Sequence, residues 1–397
     1  MFKGKPESGT MPDSPPIKIR VETDITAISA ADWDACAGGG NPFLSHAFLA
    51  ALEESGSAAK ATGWLPHHVL VDDAAGNLVA AAPAYLKSHS YGEYVFDHGW
   101  ANAFEQAGGR YYPKLQISIP FTPATGPRLL ARPSTQIPDL RPALIAGLEA
   151  VAKNRGLSSI HATFLLPDDR QAFEDAGWLL RTGVQFHWHN QGYATFDDFL
   201  AALSSRKRKA IRKERQEVAA SGMEMVTLTG GDLKPEHWRA FFGFYTDTAD
   251  RKWGSPYLTA DFFHRLGQTL ADKVVLVMAR YQGHWVAGAL NLLGADTLYG
   301  RNWGCAADFK FLHFETCYYQ AIDFAIARGL TTVEAGAQGE HKIQRGYLPV
   351  PMTSAHWIAH PQFRAAVADF LRRETAGMQA HIAALSEGSP FRKTESD

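Results

Sequence analysis

The sequence predicts an α/β protein built from two tandem copies of one unit. One observation is an echo: PFLSHAFLAAL, beginning at Pro42, returns as PYLTADFFHRL, beginning at Pro256, with proline, aromatic, leucine, hydroxyl, phenylalanine and leucine at the same spacing. A second is that three more echoes follow in the same order. GNLVAAA from Gly76 returns as GHWVAGA from Gly283, RGLSSIHA from Arg155 as RGLTTVEA from Arg328, and the AGW ending at Trp178 as the RGY ending at Tyr347. The third is composition: 46% of the 397 residues are hydrophobic and 12% aromatic, enough to bury a large core without disulfides or metal.

Each copy reads in the same order. Ser45 and Thr259 stand where an N-cap belongs, so a helix follows each. Two apolar runs around a glycine turn, 67–72 with 77–86 and 273–280 with 284–292, make a β-hairpin. An amphipathic helix comes next, at about 139–155 and 312–328. In the second copy Phe314, Cys317, Tyr318, Ala321, Ile322 and Ala325 recur at helical spacing and form one buried face. The Arg-Gly pair after each helix supplies a left-handed cap. Strands at 158–165 and 331–336 follow, then a short helix and a glycine–aromatic pair that opens another strand.

The predicted organisation is a domain at 17–190, a basic helical connector at 191–220 and a second domain at 221–386, with disordered tails at 1–16 and 387–397. Between its hairpin glycine and its helix-ending glycine the first copy is much the longer. The surplus, 87–126, is rich in aromatics and turn residues and reads as an insertion, either a cover over a channel between the domains or a packed Ω-loop.

Charge and motifs exclude several classes. Thirty-nine basic against 41 acidic side chains leave a net charge of -2, so the chain is no polycation that binds nucleic acid by bulk charge. Three cysteines without paired spacing fit a reducing compartment. No apolar run reaches the roughly 18 residues of a membrane helix, and the first residues have no secretory h-region. A soluble, cytoplasmic protein is expected. Phosphate-loop, dinucleotide, serine-hydrolase and zinc spacings are absent, so neither a metal nor a tightly bound cofactor is expected.

The phrases GEYVFDHGWA, YYPKL, PFTPATG, SSRKRKAIRKER, LYGRNWGC, LHFETCYYQAI and EAGAQGEHKIQRGY, spread over about 40–370, resemble the FemAB-like group of predicted N-acyltransferases, often labelled peptidoglycan biosynthesis or recognition proteins. The unit order resembles the GNAT acyltransferase fold. The resemblance implies two tandem GNAT-like domains with mixed, mostly antiparallel sheets. It also implies transfer of an acyl or aminoacyl group from acyl-CoA or aminoacyl-tRNA to the primary amine of a small molecule or peptide. From its phrases Glu93, Trp100, Tyr112, Lys114 and Tyr347 are implied as substrate contacts, and Arg301, Gly304 and Ala306 match the spacing of the GNAT phosphate turn, an anion site at a helix start. Fem-type enzymes carry a basic residue just ahead of a glycine–aromatic pair, the place Arg345 holds.

The copies differ where chemistry would be done. Glu334 stands in the second where the first has His161, and His341, Lys342 and Arg345 stand where the first has Ala172, Phe173 and Ala176. The second copy is therefore the expected catalytic one. Either Glu334 or His341 would accept the amine proton, with Lys342 and Arg345 holding an anion. Tyr299, Arg301 and Trp303 alternate along one strand and share a face, lining an acceptor pocket or simply packing there. Arg206, Lys207, Arg208, Lys209, Arg212, Lys213 and Arg215 make a basic stripe on an otherwise acidic chain. It fits tRNA, the phosphates of coenzyme A or a nucleotide-linked acceptor, or a solvated connector. Two other readings stay open: an acyl-CoA-dependent acetyltransferase of small metabolites, and a non-catalytic module binding RNA or a cell-wall precursor.

Overall fold

In the computed structural model, which describes residues 17–133, 139–252, 256–336 and 339–392, the four echoes fall on equivalent elements of two halves. Ser45 Oγ accepts from the Phe48 N–H and caps helix His46–Glu54; Thr259 Oγ1 accepts from the Phe262 N–H and caps helix Ala260–Thr269. Gly156 and Gly329, at φ 62° and 65°, end helix Arg141–Arg155 and helix Gln320–Ala327 in the left-handed conformation that favours glycine. The second helix is entered through a π turn, Glu315–Tyr319.

The first half supplies strands β1 (Lys18–Glu22), β2 (Trp64–Pro66), β3 (His68–Asp72), β4 (Leu78–Ala82), β5 (Ala84–Lys87), β6 (Lys114–Ile117), β7 (Leu130–Ala131), β8 (Ser159–Ala162) and β9 (Leu179–His189). The second supplies β10 (Glu224–Thr229), β11 (Val274–Tyr281), β12 (His284–Leu293), β13 (Thr297–Cys305), β14 (Thr332–Glu334) and β15 (Leu348–Ile358). A four-stranded sheet runs β1-β3-β4-β7, and an eleven-stranded sheet runs β10-β11-β12-β13-β14-β9-β15-β8-β6-β5-β2. The hairpin of the first half is broken at His67 and Pro83, where both of its strands step from the small sheet to the large one; proline has no N–H to continue a ladder.

The pairing is mostly antiparallel. The two parallel strand pairs, β6 with β8 and β13 with β14, occupy corresponding places in the halves. So β6 is the counterpart of β13, and 87–126 is not one inserted cover: its residues 114–117 are a core strand, and the added residues lie on both sides of it, helix His98–Gln106 before and the segment that includes 120–126 after. A second correction concerns the chain end. Pro390 and Phe391 are packed rather than part of a tail, because Phe391 bridges to Leu203 and its ring meets Phe199 at 6.3 Å. The predicted tail 1–16 lies outside the described residues.

The two halves exchange their last strands. β9 lies between β14 and β15 of the second half, and β15 pairs with β8 of the first, so neither half's sheet is complete alone. One hydrophobic cluster also spans both: Phe43 meets Phe48 and Tyr299 edge-on at 5.1 and 5.2 Å. Between β12 and β13 the register shifts, Leu290 facing Asn302 and Asn291 facing Gly300, which leaves Arg301 as a bulged residue. A Cβ at Gly304 would overlap the Phe244 carbonyl of helix Pro235–Lys252. Gly304→Ala is therefore expected to cost about 1–3 kcal/mol, read as a lower denaturant midpoint at unchanged slope. Among the described residues no helix is long and apolar enough to cross a membrane.

Candidate active site

Residues 120–126 cross from the first half onto the second. Arg301 donates to the Phe121 carbonyl and, at 3.3 Å, to Thr122 Oγ1. Gln185 Nε2 donates to the Pro123 carbonyl at 2.6 Å, and the Thr125 N–H donates to Glu334 Oε2 at 3.2 Å. Glu334 ends β14, in register with Tyr299 on one side and His187 on the other. His187 Nε2 lies 3.9 Å from Glu334 Oε1 and 3.1 Å from Gln185 Oε1.

The electrostatics follow from that seam. Glu334 is 7% exposed, and burial pushes its carboxyl up to about 7 against the opposing pull of the Thr125 hydrogen bonds, Arg128 and Arg301. Burial, with His189 and Lys342 adding to it, holds His187 down at about 3, so its imidazole is neutral. Burial also lowers the Arg301 guanidinium, which still stays cationic. A carboxyl that changes charge near neutrality, in a largely dry setting, can take a proton and return it.

Gln185 and Met352 line a cleft of about 200 Å³ between β9, β15, residues 94–96 and helix Pro361–Glu387. Each is one contact from Glu334: Gln185 through His187, and Met352 through Thr125, whose Oγ1 lies 3.5 Å from its sulfur. Tyr94 and Phe164, which also line the cleft, and Phe121 beside it have φ near 60°, a conformation costing a non-glycine residue about 1–3 kcal/mol. Arg181 closes one wall, bound to both Glu374 oxygens at 2.8 and 2.6 Å and to the Phe96 carbonyl at 2.6 Å.

Behind the cleft is a buried polar network that holds the expected contacts Glu93, Trp100, Tyr112 and Lys114. Lys114 is fully buried and spends all three donors, on Ser90 Oγ at 2.8 Å, Glu93 Oε2 at 2.7 Å and Asp97 Oδ2 at 2.5 Å. Burial works against its charge, but Glu93 and Asp97 hold it above the ordinary lysine range. Burial pushes Glu93 up to about 7. Tyr112 bonds Ser90 at 2.7 Å, and Trp100 stacks on Arg181 at 5.2 Å and meets His356 edge-on at 4.9 Å. These four brace the cleft from behind. With its donors used, Lys114 has none left for a substrate, and none of the four lines the cleft.

The other face of the sheet carries the remaining candidates. Neighbours on a strand point to opposite faces, so Phe186 and Trp188 face away from His187 and pack with Tyr318, Ile343 and Tyr347. Lys342 lies there, its Nζ 5.8 Å over the Phe186 ring and donating to the Gly336 carbonyl at 3.0 Å. Burial lowers it to about 8. His341 bonds the Tyr318 hydroxyl at 2.9 Å on this face. The sheet thus separates Glu334 from His341 and Lys342, and the expected single constellation is not formed.

Arg345 already holds an anion of the protein itself. It binds both oxygens of Glu214 at 3.0 and 3.1 Å, donates to the His341 carbonyl at 2.9 Å and stacks 3.3 Å over Phe314. Tyr347 is fully buried and donates to the Tyr318 carbonyl at 3.2 Å. The expected phosphate turn is strand instead: Gly304 pairs with Gly288, the Ala306 N–H donates to the Val286 carbonyl at 2.8 Å, and no helix begins before Leu312. The bulge also undoes the alternation. Tyr299 and Arg301 meet Phe43 at 5.2 and 5.6 Å, whereas Trp303 meets His313 at 5.2 Å on the opposite face.

The basic stripe lies on helix Ser205–Ala220 and divides in two. Arg212 pairs with Asp197 at 2.7 Å, Lys213 with Glu217 at 3.9 Å, and Arg215 with Glu315 and Asp323 at 3.0 and 2.7 Å. Arg206, Lys207, Arg208 and Lys209, at its start, make no ion pair with any described residue.

The family model called FemAB-like, described as peptidoglycan biosynthesis/recognition, matches residues 24–393. The chain belongs to the FemAB-like family. Its fold is shared with FemX, 12% identical at TM-score 0.53 over 86% of this chain and 98% of that one. It is also shared with the C-terminal domain of a putative lysylphosphatidylglycerol synthetase from Agrobacterium fabrum, 9% identical at TM-score 0.51 over 86% and 96%. A tandem GNAT protein from the clavulanic acid biosynthesis pathway aligns at TM-score 0.46 and 10% identity over 87% and 99%. No curated protein matches the sequence. The fold is two tandem units of one α/β design in mixed, mostly antiparallel sheets, the fold of FemX.

Around Glu334 of this FemAB-like chain, the sequence reading passed over Thr125, Gln185 and His187. VQFHWH, from Val184, alternates apolar and polar residues and so marks one polar face in a buried strand, a signal for the last two. Asp97 lies four residues after Glu93 in one phrase, and Glu214 is an acid inside a basic run. Thr125 reaches Glu334 from a loop of the first half, a placement that no local pattern in the sequence marks. Among the described residues no group of three or more His, Cys, Asp or Glu is placed to hold a metal ion.

Proposed function

We propose that this FemAB-like protein transfers an acyl or aminoacyl group from an activated donor to a primary amine by direct attack, with Glu334 as the general base. The observation that carries this is the buried Glu334 carboxyl, poised at about 7 where the two halves meet. Its carboxylate form would take the amine proton, directly or through one water, as the nitrogen attacks the donor carbonyl. The thioester C–S or ester C–O bond of the donor then breaks, and the departing thiolate or ribose oxygen takes that proton back. Arg301 and Arg128 put positive potential on the same seam and would favour the negative charge developing on the carbonyl oxygen. The cleft beside Glu334 is the place for the acceptor, and the family description supports an amine carried on a cell-wall peptide. The test is consumption of acyl-CoA or aminoacyl-tRNA in the presence of mixed amines. Turnover by the wild type, lost in Glu334→Gln, is expected; no donor consumed would overturn the reading.

The quartet Arg206–Lys209, which pairs with no described residue, favours aminoacyl-tRNA over acyl-CoA as donor. Cations at a helix start oppose the helix dipole, at about 0.3–1 kcal/mol each, and they are free to meet phosphates. Changing all four to glutamine is expected to leave the fold as stable or slightly more so. The same change should flatten the salt dependence of tRNA binding by roughly 0.7–0.9 in slope per lost contact. Unchanged tRNA binding would return the donor to acyl-CoA.

A further inference from the structure

Ser354 lines the cleft from β15, and its hydroxyl lies 2.9 Å from His356 Nε2, two residues along on the same face. In the β15–β8 register His356 stands opposite His161, and the two rings touch through their Nδ1 atoms at 2.7 Å. On its far side His161 Nε2 faces three oxygens: Ser159 Oγ at 2.8 Å, Tyr111 Oη at 3.2 Å and Asp97 Oδ2 at 3.6 Å. The rings are 2% and 1% exposed. Burial holds His161 down at about 3 and His356 well below the ordinary histidine range, so both are neutral near pH 7.

The protons in this chain can be placed by elimination. Asp97 is a pure acceptor: although burial opposes its charge, Lys114 keeps it well below the usual carboxylate range. Tyr111 donates its only proton to Asp97 at 2.7 Å and can offer His161 nothing but a lone pair. Ser158 gives its proton to the Tyr111 carbonyl, which leaves its oxygen, at 3.2 Å, to accept that of Ser159. Of the oxygens facing His161 Nε2, Tyr111 Oη and Asp97 Oδ2 offer only lone pairs, so the tautomer that satisfies them carries the proton on Nε2 and leaves Nδ1 bare. The touching nitrogen of His356 must then be Nδ1–H, so His356 Nε2 is bare and takes the proton of Ser354.

We infer that Ser354 is a ligand-binding residue of fixed polarity, presenting only lone pairs to the cleft and so selecting an N–H donor, with Asp97 setting that polarity through His161 and His356. Of the remaining lining, Val95, Phe96, Phe164, Val184, Met352 and Met378 are apolar, and the charged pair Arg181 and Glu374 is spent on itself, beside the polar Tyr94, Thr182, Gln185 and Thr353. The ligand class is an amine or amide N–H on an aliphatic chain. This rests on placing the acceptor in the cleft; it does not depend on which donor is used or on Glu334. His161 and His356 are positioning residues, and Ser354 alone would touch the ligand.

Two measurements test it without any transfer assay. In histidine-labelled protein, long-range ¹H–¹⁵N correlation, assigned with His161→Gln and His356→Gln, is expected to show Nε2–H on His161 and Nδ1–H on His356 from pH 5.5 to 8. An Nε2–H form of His356 would overturn the inference. For the ligand, hexanamide is expected to bind about fivefold more tightly than N,N-dimethylhexanamide, which has no N–H. In Ser354→Ala, checked for an unchanged melting temperature, that preference should fall within about twofold. Equal affinity in the wild type, or no binding of either amide, would overturn it. Since neither arm uses an acyl donor, a null result in donor consumption with a positive one here would sink the transfer reading alone.

Discussion

Replacing Glu334 by glutamine is expected to lower transfer by about 10²–10⁴-fold while leaving the fold intact. Glutamine keeps the shape and can still accept from the Thr125 N–H, so the loss would report the missing base. In the wild type kcat/KM is expected to rise with pH through about 7, as the carboxyl loses its proton. The same shift fixes the sign of a stability effect. The folded carboxyl is held up at about 7 against an ordinary value of 4.5, so the folded state binds the proton more tightly than the unfolded one. That stability is fully present below about 4.5 and is lost as pH rises to about 7. Glu334→Gln, with no charge to bury, is thus expected to melt above the wild type at pH 8 and lose that advantage at pH 4. A lower melting temperature at pH 8 would contradict the assignment.

Lys114→Met is expected to cost about 3–5 kcal/mol in urea unfolding, the usual result of leaving buried charge without its partner. Glu93 and Asp97 are 3% and 2% exposed and have Lys114 as their shared close cation, Lys87 standing farther off at 3.8 Å from Glu93. Protonation relieves the conflict, so the loss should shrink as pH falls and Glu93, already pushed up to about 7, takes its proton. Adding Glu93→Gln and Asp97→Asn to Lys114→Met should restore part of the stability. A uniform loss across pH would mean that Lys114 acts through packing alone.

What the sequence made legible is what local chemistry dictates. The N-caps Ser45 and Thr259, the left-handed glycines 156 and 329 and the paired hairpins each need only a few adjacent residues, and the repetition of that order disclosed the duplication. The strand exchange was not legible, because β9 and β15 look alike whether each returns to its own half or crosses to the other. Arg301 shows how one residue defeats a pattern. A bulge there sends Trp303 to the face opposite Tyr299, and no residue type announces it. Glu334 was found through the difference between the copies, yet the grouping with His341, Lys342 and Arg345 failed, since nearness in the chain does not say which side of a sheet a loop returns to. Thr125, Glu214 and Asp97 act on residues 209, 131 and 17 positions away, distances that periodicity cannot reach.

The central claim is that the carboxyl of Glu334 changes charge near neutrality inside the folded protein. Its direct test is a ¹³C titration of carboxyl-labelled glutamate, with the Glu334 resonance assigned by its absence in Glu334→Gln. A midpoint at about pH 7 is the expected result. A midpoint near 4.5, the ordinary glutamate value, would show a solvated carboxylate at that position and contradict its role as the base.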